Sequence, residues 1–406
     1  MAHIAWLGKK SPFCGNVTYG LSTTEALRER GHAVSFIHFD TPAATLGRLD
    51  GLLDGRAAGG SPEPAAETRQ LEEGATPEVA LSYLVKSQVY TIPSPGAQRQ
   101  LRESLERLRP DLVHASLTLS PLDFRLPDLC QQLGLPLVAT FHPAFDAGLR
   151  NLAAGTQQLT YQLYAPSLAR FDRVIVFSEL QAEMLERLGV RPERLAVIPN
   201  GVDGDVWKPA PALPGPELAA LRQRFAGQRV FLYMGRITTE KNVEALLKAW
   251  RLVRPEGCVL VIVGDGPLRG SLQNGFEPDV IWWGVERSLE RRVALLQLAE
   301  VFLLPSLVEG LSLALLEAMA SGTACVATDA GADGLVLEGG AGIVIRTQGV
   351  TTQLRTLLPV LRDQPVLTAE LGRRARARAL ERYTLRGTID ALEKLYGELI
   401  SHPLAA

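Results

Sequence analysis

The sequence predicts an α/β protein of two parallel-sheet units. Three observations carry that prediction: short apolar runs ending in turn residues, helix-period segments between them, and a Pro-rich break near mid-chain. A chain of 406 residues is too long for one typical core and suits two, since single domains cluster near ~100 to 200 residues.

In the first half the expected strands are 3–7, 33–38, 112–116, 137–141, 173–177 and 195–199. In the second half they are 230–233, 258–263, 280–283, 301–304, 325–328 and 342–345, so two sheets of about six strands follow. Between Thr41 and Pro77 the pattern fails and Gly, Pro, Ala, Glu and Arg predominate, which reads as a surface excursion. Lys208 to Pro216 carries four prolines and suits an interdomain linker, dividing the chain into units at 1–204 and 205–385. After Gln348 the pattern is helical only. It includes an Arg-rich stretch (Arg373, Arg374, Arg376, Arg378, Arg382), expected as a solvated helix face, and a last amphipathic segment within 386–406.

Composition narrows the function. Hydrophobic residues make up 46%, charged residues 21%, and the formal net charge is -2, so nothing pulls the chain toward nucleic acid. Lys plus Arg nearly balances Asp plus Glu in each half. No apolar run reaches the ~18 to 20 residues that span a bilayer, and the N-terminus runs straight into a strand, so a cytoplasmic protein with at most peripheral membrane contact is expected. Cys14, Cys130, Cys258 and Cys325 are far apart and form no CxxC pair, which argues for free thiols and against zinc.

The segment from Phe302 to Gly322 carries the strongest chemistry. A buried strand ends at Ser306, a loop holds Glu309 and Gly310, Ser312 is an N-cap, and a helix follows to a glycine stop at Gly322. Open α/β sheets bind ligands at this edge. The amides of Gly310, Leu311 and Ser312 at the helix start would suit a phosphate. Glu317 sits on an otherwise apolar helix and needs a partner, either a ribose diol or an internal salt bridge.

Gly235 and Arg236 follow a strand and Lys241 stands five residues on, so both cations can converge on one anion such as a diphosphate. The lone D-x-D, Asp203-Gly204-Asp205, reads as turn chemistry, and metal-independent chemistry is expected. Gly264, in Val263-Gly264-Asp265-Gly266-Pro267, marks a turn that would let backbone approach a ligand. Trp282 and Trp283 read as core more than as a stacking platform. In the first half, Gly15 lies in a polar loop before a helix, His142 ends a strand, and Asn200 closes the last strand facing the same gap.

In this order these segments resemble the family 4 glycosyltransferases of the GT-B fold, over nearly the whole chain. The most specific element is E-x7-E, Glu309 through Glu317, with Gly235-Arg236, Lys241, the VGDGP turn and the IPNGVD strand in support. The resemblance implies two Rossmann-like domains facing a cleft, an N-terminal acceptor domain, a C-terminal donor domain, and a final helix packing back on the first. It implies diphosphate binding by Arg236 and Lys241, sugar hydroxyls at Glu309, ribose at Glu317, Gly15 near the diphosphate and His142 beside the transferred sugar. It further implies a hexosyltransferase that retains anomeric configuration, takes a nucleotide-diphosphate sugar, needs no cofactor or metal, and acts on a lipid or glycan acceptor. A nucleotide-sugar 2-epimerase and a non-catalytic nucleotide-sugar-binding protein are the alternatives.

Two departures stand out. Where the family commonly has Gly-Gly-x-Pro-Glu, this chain has Ala330-Gly331-Ala332-Asp333-Gly334, and Asp333 receives no role. Gly15 is followed by Asn16 where paired glycines are often seen.

Overall fold

The computed structural model describes residues 1–11, 15–40, 78–87, 90–117, 119–145, 152–273, 275 and 277–401. Cys14 and the expected excursion at 41–77 lie outside the described residues. The strands of the first half are β1 (His3–Leu7), β2 (Ala33–Phe39), β3 (Glu78–Leu81), β4 (Tyr83–Lys86), β5 (Thr91–Pro93), β6 (Leu112–Ser116), β7 (Leu137–Thr140), β8 (Arg173–Val176) and β9 (Leu195–Val197). Those of the second half are β10 (Arg229–Met234), β11 (Cys258–Val263), β12 (Val280–Gly284), β13 (Val301–Leu304), β14 (Ala324–Thr328) and β15 (Ile343–Ile345).

Two wholly parallel sheets result, ordered β3-β2-β1-β6-β7-β8-β9 and β12-β11-β10-β13-β14-β15. Their inner strands are continuous apolar runs because helices cover both faces. All six residues of β11, Cys258 to Val263, are buried, each large one stabilising by about 1.5 to 3 kcal/mol. The seventh strand of the first sheet escapes the sequence pattern. β3 is a four-residue edge strand with every second side chain exposed, and its apolar run is only Val79 to Leu81. The antiparallel pair β4 and β5 is equally short.

The chain crosses between the halves twice, and the crossings lie side by side. Val202 N–H donates to the Tyr383 carbonyl and Leu385 N–H to the Val202 carbonyl, at 2.9 Å each. Gly201 permits this, since a Cβ there would stand 2.4 Å from the Thr384 carbonyl oxygen. Beyond the second crossing, helix Leu385–Ser401 lies against helix Gly15–Glu29, with Arg30 paired to Asp390 at 2.7 Å. Its buried Tyr396 hydroxyl meets His114 Nδ1 inside the first domain.

The Arg-rich helix Pro365–Arg382 is only partly the solvated face that was expected. Arg373 and Arg374 pair with Glu370 in solvent. Arg376 reaches inward to the Ala320 carbonyl, and Arg378 to the carbonyls of Val336 and Leu335, so both cations cap helix C-termini near the E-x7-E segment. Among the described residues no helix is long and apolar enough to cross a membrane.

Candidate active site

Two strand-end loops of the second sheet, after β10 and β11, are packed backbone to backbone. Gly264 has φ +135°, and a Cβ there would lie 1.9 Å from the Gly235 carbonyl oxygen; one on Gly266 would lie 2.3 Å from the Ile237 oxygen. Gly235 N–H donates to Val263 and Ile237 N–H to Asp265, at 2.9 Å each. The expectation that Gly264 makes room for a ligand is corrected here. What approaches it is the neighbouring loop, which fixes the direction of Arg236. The two Trp of β12 are half-buried and packed on the core, with Arg224 lying over the Trp283 ring.

The same construction recurs around Glu309. Gly331 has φ +56°, and a Cβ there would stand 2.0 Å from the Glu309 carbonyl oxygen. Ala332 N–H donates to the Gly310 carbonyl at 2.9 Å. The buried Glu309 carboxylate accepts from Ser306 Oγ at 2.7 Å and from Lys241 Nζ, so the two residues expected at the donor form a direct ion pair. Arg236 pairs with Glu240 at 3.2 Å. Glu309, Arg236 and Glu240 all act electrostatically on the buried Tyr233 hydroxyl, whose ionisation is pushed well above the usual range, chiefly by burial.

Ser312 caps helix Leu313–Ala320, its side chain accepting from Leu315 N–H at 3.3 Å. Its own amide is not free for a phosphate, contrary to expectation. Asp333 Oδ1 takes it at 3.0 Å. The amides of Gly310 and Leu311 have no acceptor among the described residues and are the pair left to meet an anion. Asp333, given no role from the sequence, is thus the anchor of this loop. It is buried, its Oδ2 has no partner, and burial together with Glu309 nearby raises its proton affinity well above that of an ordinary aspartate.

Glu317 is buried with its carboxylate 4.0 Å from Arg292, which is the salt-bridge alternative in a long form. Burial outweighs that cation and pushes the carboxyl up to about 7. In Asp203-Gly204-Asp205, the Asp203 carboxylate accepts from the backbone N–H groups of Asp205 and Val206 at 2.8 and 3.3 Å, an ordinary turn.

The first domain meets this wall directly. Phe145 N–H donates to the Glu309 carbonyl at 2.8 Å and Glu309 N–H returns to Phe145 at 3.4 Å, joining the loop after β7 to the loop after β13. Asn200 does not face an open gap as expected. Its Nδ2 donates to the Leu311 carbonyl at 2.9 Å, so it clasps the loop after β13. His142 is half-buried between Tyr19 and Phe177, with ring centroids 5.0 and 5.3 Å away, and its Nε2 lies 2.8 Å from Ser116 Oγ. Burial, with help from Lys9, pushes the imidazole down to about 3, so it is neutral. Gly15 is exposed at the start of its helix, and a Cβ added there would meet no described atom within 4 Å outside its own helix and chain neighbours.

Sequence reasoning missed Ser306, Tyr233, Asp333 and Ser116. Ser306 and Tyr233 each bond a residue three positions on, Glu309 and Arg236, whereas the partners of Asp333 and Ser116 lie far away in sequence.

Comparison with known proteins agrees with this fold. Residues 15–206 match the model described as Glycosyltransferase Family 4, and residues 228–363 the one described as Glycosyl transferases group 1. The chain is similar to the UDP-Gal:alpha-D-GlcNAc-diphosphoundecaprenol alpha-1,3-galactosyltransferase of Escherichia coli, at 28% identity over 74% of this chain and 78% of that protein. It is also similar to the alpha-maltose-1-phosphate synthase of Mycolicibacterium smegmatis, at 29% identity over 62% of this chain and 70% of that one. In fold it is similar to Anabaena HepE, solved in complex with UDP and glucose, with TM-score 0.75 at 18% identity over 98% of this chain and 100% of the other. The two matched segments adjoin along one chain, with the paired sheets meeting at Glu309, and this protein belongs to the family 4 nucleotide-sugar glycosyltransferases of the GT-B fold.

Proposed function

We propose that the protein transfers a hexose, with retention of anomeric configuration and without a metal ion, from a UDP-linked donor to a hydroxyl of a glycan carried on a polyprenyl diphosphate. The observation that carries this is the junction at Glu309, where Lys241, Ser306 and the Phe145 backbone of the other domain converge on one residue. Glu309 receives the hydroxyls of the transferred sugar. Lys241, Arg236 and the free amides of Gly310 and Leu311 receive the diphosphate. Glu317 receives the ribose, and His142 lies beside the sugar.

In the reaction, the acceptor oxygen bonds to the anomeric carbon on the face from which the diphosphate leaves. The C1–O bond breaks with its electron pair going to the diphosphate, and the acceptor proton passes to that departing oxygen. Fixed positive groups on the leaving group supply transition-state stabilisation of about 3 to 4 kcal/mol per well-placed donor. A front-face course is supported by the engagement of Glu309, which is held by Lys241 and Ser306 and does not stand ready as a nucleophile. Metal independence is supported by the same cations and by the turn bonding of Asp203.

The donor base and the acceptor class are taken from the Escherichia coli relative, the first of the similar proteins to span most of both chains. On the acceptor side, Tyr161 and Tyr164 of helix Leu152–Leu168 are core residues. Leu159 and Leu163 are exposed and open to a lipid chain. The test is incubation of purified protein and UDP-hexoses with GlcNAc-diphosphoprenol in the presence of chelator, with the product anomer read by NMR. An inverted product sinks the retaining course. A rate lost to chelator and restored by Mg2+ or Mn2+ sinks metal independence, and donor turned over to its 2-epimer without an acceptor favours the epimerase.

A further inference from the structure

A second polar array lies beneath the His142 ring, and its donors and acceptors are forced. Asn16 Nδ2 donates to the Leu117 carbonyl at 3.2 Å. A carbonyl can only accept, so the amide nitrogen must face it and Asn16 Oδ1 must face the other way. Oδ1 in turn accepts from Ser116 Oγ at 2.8 Å. Ser116 has a single hydroxyl proton, and it is now spent. The contact between Ser116 Oγ and His142 Nε2 at 2.8 Å therefore requires the proton to sit on the imidazole. With the ring neutral, Nδ1 is left bare, and it has no hydrogen-bond partner among the described residues.

We propose that Asn16 and Ser116 are positioning residues that hold His142 as the Nε2–H tautomer, so that Nδ1 accepts a hydrogen bond from a hydroxyl of the transferred hexose. The second half of this statement rests on the placement of His142 beside the sugar given above. Tyr19 and Phe177 pack on the ring, with centroids 5.0 and 5.3 Å away. The loop that carries it lies against Gly310, where a Cβ would be 3.5 Å from the His142 carbonyl oxygen. Asn16 stands where resembling enzymes often carry a second glycine, and a glycine has no amide to start the chain of bonds. The relay is thus tied to this sequence and not to the fold.

Two measurements test it. In proton–nitrogen correlation spectra of ligand-free, histidine-labelled protein, His142 should show a slowly exchanging Nε2 proton and an unprotonated Nδ1. Ser116→Ala should speed that exchange or admit the other tautomer, and Ser116→Thr should restore the original signal. A wild-type Nδ1–H, or a signal indifferent to Ser116→Ala, overturns the relay. The second measurement compares affinity for UDP with affinity for UDP-hexose. Ser116→Ala should leave UDP binding unchanged and weaken UDP-hexose binding about tenfold, as loss of one well-placed hydrogen bond does. His142→Asn, whose Oδ1 replaces the accepting nitrogen, should keep more of the preference for UDP-hexose over UDP than His142→Gln. A perturbed imidazole signal in Ser116→Ala, together with an unchanged affinity ratio in all three variants, overturns the placement of His142 beside the sugar, leaving the relay itself standing.

Discussion

The two walls of the cleft are built by different means. On the C-terminal side, loops are pressed together main chain to main chain, Gly264 on Gly235 and Gly331 on Glu309, with separations that admit no Cβ. On the N-terminal side the strand ends are tied by side chains: Asn16 to Ser116 to His142, and Tyr396 to His114 to Thr140. Main-chain packing leaves few degrees of freedom and holds charged groups where the diphosphate is proposed to bind. Side-chain networks exchange more easily between related sequences, which suits a wall with the acceptor role proposed for the first domain.

The largest expected effect tests the junction of the two walls. Glu309→Gln should lower turnover by about 100- to 1,000-fold while UDP binding survives, since the lost interaction is with the transferred sugar. Steady-state kinetics beside calorimetric titration with UDP checks it, and near-normal turnover would remove Glu309 from its assigned place. Next, Gly264→Ala strikes main-chain packing on the donor side. It should cost about 3 kcal/mol or more in urea unfolding, because strain at positive φ adds to a clash with the Gly235 carbonyl. If it costs no more than Ser116→Ala, the contrast between the walls fails.

The third prediction concerns pH. The Glu317 carboxyl is ordinarily at 4.5 and stands at about 7 in the folded protein. Between those values the folded protein holds a proton that the unfolded chain has released. The site's contribution to stability is therefore greatest below the ordinary value, falls as pH rises through that window, and is flat above it. Glu317→Gln should remove the dependence, gaining on wild type by up to about 3 kcal/mol as pH rises to 8 in unfolding titrations. If the carboxylate accepts the ribose diol, nucleotide affinity should also rise through pH 7 in wild type and stay flat in the variant. The smallest effect is that of Asn200→Ala, which should cost about 1 to 2 kcal/mol by leaving the Leu311 carbonyl without its donor. A larger loss would mean that side-chain clasps rival main-chain packing.

The same contrast explains what could be read from the sequence. A glycine forced by main-chain contact leaves a local signature, so the turn at Gly264 is visible beside its strand. Buried apolar runs gave the parallel strands for the same reason, whereas the edge strand β3 alternates and stays hidden. The Asn16–Ser116 bond spans one hundred residues, and the Ser312–Asp333 bond depends on a loop that departs from the usual run. Neither has a periodicity to betray it. The opposite error, expecting the Ser312 amide and Asn200 to face a ligand, came from placing residues at a sheet edge without knowing which neighbours had already claimed them.

The doubled crossing at Val202 and Thr384 has a mechanical consequence. A single linker lets two bodies swivel about its axis, like a lamp on one stem. Two chain segments stitched together by hydrogen bonds behave as a strap hinge, which bends across its width and resists torsion. Such a strap should favour opening and shutting over twisting between the halves. Each closure then returns Phe145 to Glu309 in the same register, and a side chain added at Gly201 would pry the strap apart at its pin.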